Sequence, residues 1–319
     1  MHGRGGLGRT GGRTGRARPY PGTMPLADLG DVTLHYQRRG SGSAGPQDGG
    51  AGSAGPQDGG AGSAGPQAVL GIMGFGLDQR FWASQIPVVT ETHEFITFDN
   101  RGIGRSAPAG DGAPLISTIA DMADDTSRLL DHLAIESCVV YGISMGGAVA
   151  QHLALEHPER VSALILAATW ARPIEFMRRQ HTLARALIEA GGPALLVESS
   201  LVRMFTPAFF EVGAEVLDQM VRAFMAETGP DLPSTEVLLA QMDAVDKHDV
   251  LGRLEEINVP TLVIGARNDM MVPYFGAEEI AAAIPGAELV TLDTGHGCMI
   301  EEMPAYNAAL QAFLAAHKA

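Results

Sequence analysis

Three side chains far apart in the chain have the chemistry of a proton relay: Ser144, Asp269 and His296. A serine alcohol is a poor nucleophile at neutral pH unless an imidazole within hydrogen-bond reach takes its proton and a carboxylate fixes that imidazole's tautomer. Ser144 lies in Gly142-Ile143-Ser144-Met145-Gly146, between an apolar run ending in Tyr141 and a helical run from Gly146 to His157. Glycines two residues either side of it remove the Cβ atoms that would collide in a tight strand-to-helix turn, and such a turn lifts the hydroxyl clear of the backbone. The helix that follows aims its free N–H groups and the positive end of its dipole at the same place.

The base must come from ten histidines. His296, in Thr294-Gly295-His296-Gly297, directly follows the apolar run Ala287 to Leu292, so a loop at that strand's carboxyl end brings it over the sheet. His35, His93, His132, His152, His157 and His317 fall within predicted elements or at their polar ends, where surface or capping roles are expected. His181 and His248 belong to a helical stretch and compete weakly. Asp269, in Arg267-Asn268-Asp269, follows the strand Thr261 to Gly265; its plainer reading is a turn aspartate ahead of Pro273. A tetrahedral oxyanion also needs donors. The backbone N–H of Met145 offers one from the helix start, and that of Phe75, in Gly74-Phe75-Gly76, offers a second. The chemistry calls for no cofactor and no metal.

The elements that must position these residues alternate. Strand signals over Ala68–Met73, Glu94–Asp99, Cys138–Tyr141, Val161–Ala167, Thr261–Gly265 and Ala287–Leu292 are separated by helical patterns over Ile116–Leu133, Gly146–His157 and Ala277–Ala283, with Pro304–His317 last. Asp31–Arg39 alternates like an edge strand. Continuous apolar strands between amphipathic helices predict an α/β protein with a mainly parallel sheet flanked by helices, and ligands in such sheets gather at the strands' carboxyl ends.

Two core segments, 24–170 and 255–319, are expected to enclose a helical cap over 171–254, where strand signals stop and Phe176, Met177, Met204, Phe205, Phe209, Phe210, Met220, Phe224, Met225 and Met242 fill a small core or line an apolar pocket. Residues 1–23 read as a disordered Arg/Gly-rich tail, with Met24 an alternative start. Residues 42–67 repeat GSAGPQDGGA, which carries too little apolar surface to order itself. Removal of this flexible loop is expected to leave activity intact.

The 319 residues carry a formal net charge of −15, and the first 22 contain five arginines and no acid, so the remainder is more acidic still. Such a body is a poor partner for nucleic acid or anionic membrane, and it points to a small, largely apolar substrate. The two cysteines, Cys138 and Cys298, fit no metal or disulfide spacing, and reduced thiols in a cytoplasmic protein are the default expectation. No apolar run approaches the roughly 20 residues of a membrane-spanning helix. Nothing in the sequence fixes an oligomeric state.

From Leu26 onward, apart from the repeat, these residues resemble the α/β-hydrolase fold superfamily. The marks are Met73-Gly74-Phe75-Gly76, the turn Phe98-Asp99-Asn100-Arg101-Gly102-Ile103-Gly104-Arg105-Ser106, the Ser144 elbow, Asp269 and His296, in the order Ser, Asp, His that accompanies this elbow. Esterases and enol-lactone hydrolases are the members most similar to Gly142–Gly147 and to the Pro285–Ala287 region. Where many members carry His-Gly, this chain has Met73-Gly74, which leaves only backbone donors there. A serine nucleophile argues against the aspartate chemistry of epoxide hydrolases and dehalogenases and against the cysteine variant of dienelactone hydrolases.

The resemblance implies a cofactor-free serine hydrolase that cleaves a carboxylic ester or lactone through an acyl-enzyme. A thioesterase or natural-product tailoring enzyme, including one that eliminates an acyl group, would use the same triad. Haloperoxidase activity would be a side reaction of the same serine. A small-molecule receptor with little turnover is the reading from a different class.

Overall fold

The computed structural model describes residues 25–40, 67–108, 116–228 and 232–317. The expected tail over 1–23 and nearly all of the expected repeat loop over 42–67 lie outside the described residues, as do the side chains of Met220, Phe224 and Met225.

In chain order the elements are β1 (Leu26–Asp28), β2 (Val32–Arg39), β3 (Ala68–Ile72), α1 (Ile86–Thr90), β4 (Glu94–Phe98), β5 (Ala107–Pro108), α2 (Ile119–His132), β6 (Cys138–Ile143), α3 (Met145–Glu156) and β7 (Val161–Ala167). There follow α4 (Glu175–Met204), α5 (Pro207–Thr228), α6 (Thr235–Asp246), β8 (Thr261–Ala266), α7 (Phe275–Ala283), β9 (Glu288–Leu292), α8 (Cys298–Glu301) and α9 (Met303–Ala316). Among the described residues the strands form one sheet in the order β1-β2-β4-β3-β6-β7-β8-β9, with β5 against β2. From β4 through β9 neighbours pair in parallel, and β1, β2 and β5 pair antiparallel at one side.

Every residue of β3, β4, β6 and β8 is buried, as the unbroken apolar runs require of a sheet covered on both faces. Side chains alternate between two cores. Leu70, Val140, Leu164 and Val263 point to the face covered by α2, α3 and α7, while Val69, Val139, Ile165 and Ile264 point to the face covered by α1 and α9. β9 closes one edge and is partly exposed. The segment expected as an edge strand, β2, lies one strand in, because β1 pairs along its outer side. Three residues are too few to show a period, so β1 leaves no signal of its own.

Between β7 and β8 the chain leaves the sheet as α4, α5 and α6. The long α4 bends where Gly192 takes a φ of 71° ahead of Pro193, a ring that cannot continue the helical hydrogen bonds. Ala184, Ile188, Leu196, Leu238 and Met242 form a small core between α4 and α6. Phe176, expected as core or pocket filling, is instead 44 % exposed. No described helix is long and apolar enough to cross a membrane.

Candidate active site

β6 ends in the elbow. Ser144 has φ 55° and ψ −123°, a conformation that costs a side-chain-bearing residue roughly 1–3 kcal/mol and persists only where surrounding contacts impose it. Those contacts are present: the Ser144 amide donates to the Ala167 carbonyl at 2.9 Å, and the Thr169 hydroxyl donates to the Ser144 carbonyl at 2.8 Å. A Cβ at Gly146 would fall on the Ile72 carbonyl oxygen, and one at Gly142 on the Gly146 carbonyl, so both glycines are required by space.

The three dispersed side chains meet. The His296 Nε2 lies 3.0 Å from the Ser144 hydroxyl, and its Nδ1 lies 2.7 Å from Asp269 Oδ2. Each is delivered by the loop after a parallel strand: Ser144 after β6, Asp269 after β8, His296 after β9. Asp269 holds both roles considered for it. While Oδ2 faces the imidazole, Oδ1 accepts the Met271 and Val272 amides at 2.7 and 2.8 Å and so shapes the turn before Pro273.

The Met145 amide opens α3, where no intrahelical acceptor exists for it. The Phe75 amide likewise meets no acceptor among the described residues. Their loop is tied from two sides: Asn100 Nδ2 donates to the Met73 carbonyl at 3.0 Å, and the Gly76 amide donates to Gln241 Oε1 of α6 at 2.9 Å. An added Cβ on Gly74 would stand 3.2 Å from the Ser144 Cβ, which measures how closely this backbone approaches Ser144.

Several other described histidines are engaged elsewhere. His35 and His93, expected at surfaces or caps, are buried at 4 % and 1 % exposure. His35 Nδ1 lies 2.8 Å from Asp99 Oδ2, a pair that pins β2 to the turn after β4. His181 Nδ1 lies 2.6 Å from Asp246. His248 Nε2 lies 3.1 Å from the Trp170 carbonyl; its pKa is pulled down to about 3 by burial and, less, by nearby His152. Cys138 and Cys298 are buried and unpaired, and burial pushes both thiols up to about 12, far from a reactive thiolate.

Above Ser144 opens a cavity of about 180 Å³ whose walls include Met73, Phe81, Phe205, Met299 and Ile300. α4 and α5 roof it through Leu196, Leu201 and Leu217. Gln241, and Glu301, which accepts the Gly295 and Thr206 amides at 3.0 and 3.2 Å, support the site without any signal in their local sequence. Gln241 reaches Gly76 across 165 residues, and Glu301 reaches Thr206 across 95.

A parallel sheet with a strained serine elbow facing a histidine and an aspartate from later strand ends defines an α/β hydrolase. The chain belongs to that family: residues 67–302 match the α/β-hydrolase fold. A protein assigned as the carbamate hydrolase RutD in Variovorax paradoxus is 33% identical over 252 residues, 78% of this chain and 92% of that one. Its counterpart in Azorhizobium caulinodans is 30% identical over 85% of this chain and 91% of its own length. Among solved structures, the enol-lactonase from Burkholderia xenovorans superposes with a TM-score of 0.75 at 26% identity, covering 91% of this chain and all of its own.

Proposed function

We propose that the protein hydrolyses a carboxylic ester or lactone of a small organic molecule, with Ser144 as nucleophile and an acyl-enzyme as intermediate. The observation that carries this is the continuous relay from Asp269 through His296 to Ser144, at 2.7 and 3.0 Å, at the floor of an apolar cavity. His296 takes the Ser144 proton as the oxygen attacks the acyl carbon, then delivers it to the departing alkoxide. The Phe75 and Met145 amides receive the oxyanion, a contribution of about 3 kcal/mol for each such donor. Water then attacks the acyl carbon, gives its proton to His296, and Ser144 leaves re-protonated.

Carbamate cleavage, named for the sequence relatives, would use the same relay. The cavity favours the ester or lactone: its walls of Met, Phe and Ile match a hydrocarbon portion that a bare carbamate lacks. Replacing Ser144 with alanine is expected to abolish turnover of p-nitrophenyl esters, and full activity in that variant would refute the assignment. Hydrolysis in heavy-oxygen water is expected to place the solvent oxygen in the released acid; its absence there would favour elimination of the acyl group.

A further inference from the structure

The cavity over Ser144 has a second chamber whose lining differs in kind from the first. This smaller space, about 80 Å³, shares Phe75, Ser144, Leu196, Ser200 and Met271 with the larger one, so Ser144 borders both. Beyond the shared wall it adds Gln180, His181 and Arg203, where the larger chamber adds Phe81, Met299 and Ile300.

Arg203, in the last turn of α4, is half-buried, and no carboxylate pairs with it among the described residues. Its Nε donates to the Ser199 carbonyl at 3.2 Å, Nη1 to Gln180 Oε1 at 2.8 Å and Nη2 to the Ser200 hydroxyl at 3.3 Å. A guanidinium has five N–H groups, so one on each terminal nitrogen is left over, the number a carboxylate takes in a forked pair. Gln180 is itself anchored, its Nε2 donating to the Met271 carbonyl at 3.0 Å. Two acids that adjoin residues of this lining are already engaged: Asp246 lies 2.6 Å from His181 and 3.7 Å from Arg185, and Asp269 lies 2.7 Å from His296. Burial pulls the Arg203 pKa below its ordinary value, a cost that a bound anion would offset.

The chambers also differ in their relation to the base. His296 lines the larger one and not the smaller, whereas Met145 lines the smaller and not the larger. A leaving alkoxide must receive its proton from His296, so the leaving portion belongs in the larger chamber and the acyl portion in the smaller.

We propose that Arg203 binds a carboxylate carried on the acyl portion of the substrate, which makes the substrate class half-esters of dicarboxylic acids, or lactones whose acyl segment carries a carboxylate, with an apolar leaving portion. This rests on Ser144 acting as the nucleophile. The acidic surface does not oppose it: exposed charges are screened beyond about 8 Å at physiological salt, whereas a desolvated guanidinium acts at contact.

The test compares mono-p-nitrophenyl glutarate with uncharged p-nitrophenyl valerate in the wild type, Arg203→Met, Arg203→Lys and Gln180→Glu. The readout is the ratio of kcat/KM for the charged ester over the neutral one. Arg203→Met is expected to lower this ratio about 30-fold or more, with Arg203→Lys in between. Gln180→Glu, which supplies an internal counter-ion while leaving Arg203 in place, is expected to lower it as well. An unchanged ratio in Arg203→Met, including equal loss of both activities, would mark Arg203 as structural and overturn the proposal. Calorimetry with glutarate on Ser144→Ala protein gives an arm independent of turnover, in which Arg203→Met is expected to remove binding. If neither ester is turned over, the hydrolase reading fails and this arm decides alone: binding that depends on Arg203 upholds the anion site, and binding that is absent or indifferent to Arg203 overturns it.

Discussion

The Gly297 amide donates to the Met204 carbonyl at 2.7 Å, so the end of α4 rests directly on the loop that carries His296. The glycines of that loop follow from the contact. A Cβ on Gly295 would stand 2.6 Å from the Met204 carbonyl oxygen, and one on Gly297 would meet the Phe205 ring. Gly297→Ala is therefore expected to push Phe205 off its stacked partner Phe209 and to displace His296, lowering kcat/KM on p-nitrophenyl esters about tenfold or more. Steady-state kinetics with a thermal melt would check it.

Asp269 separates into two functions that one substitution can divide. Asparagine keeps an oxygen able to accept the Met271 and Val272 amides but presents an N–H to His296 Nδ1, favouring the wrong tautomer. Asp269→Asn is expected to keep the wild-type circular dichroism spectrum while kcat falls about 10⁴-fold. A loss of less than tenfold would remove Asp269 from the relay.

Gln241 is fully buried, and its Oε1 holds the Gly76 amide beside Phe75, the proposed oxyanion donor. Gln241→Met is expected to lower kcat about tenfold with a smaller change in KM, since a loosened oxyanion loop weakens binding of the transition state more than of the substrate. Gln241→Glu, which restores an acceptor, is expected to recover part of the loss in the same assay.

His248 sets part of the acid stability. Its folded pKa of about 3 lies below the ordinary 6.5, so between these values the unfolded chain binds a proton that the folded chain refuses. Stability is expected to fall as pH drops through this window, and His248→Gln to flatten the fall. Urea unfolding at pH 7 and near pH 4.5 would measure both slopes; equal slopes for the two proteins would contradict the assignment.

Ser144 and Asp269 were legible because each follows an apolar run that reads as a buried strand, and His296 because it follows the strand signal that became the edge strand β9; a parallel sheet gathers such strand ends on one side. The turn Phe98–Ser106 was legible as a mark of the fold, but not its pairing with His35, because a histidine inside an alternating strand gives no sign of what lies across the sheet. Arg203 was not legible: on a helix it reads as one more solvated charge, and only the folded chain reveals that no carboxylate pairs with it among the described residues. Gln241 reaches Gly76 across 165 residues, a separation that leaves no local pattern. β1 and β5 are too short to carry a period.

In the proposed reaction the acyl group passes through a covalent ester on the Ser144 oxygen. Acid quenching during turnover of a p-nitrophenyl ester, followed by digestion and peptide mass mapping, is expected to find the acyl group on Ser144 in the wild type and on no residue of Ser144→Ala. Full turnover with Ser144 unmodified at every quench time, or an acyl group on another residue, would contradict the account.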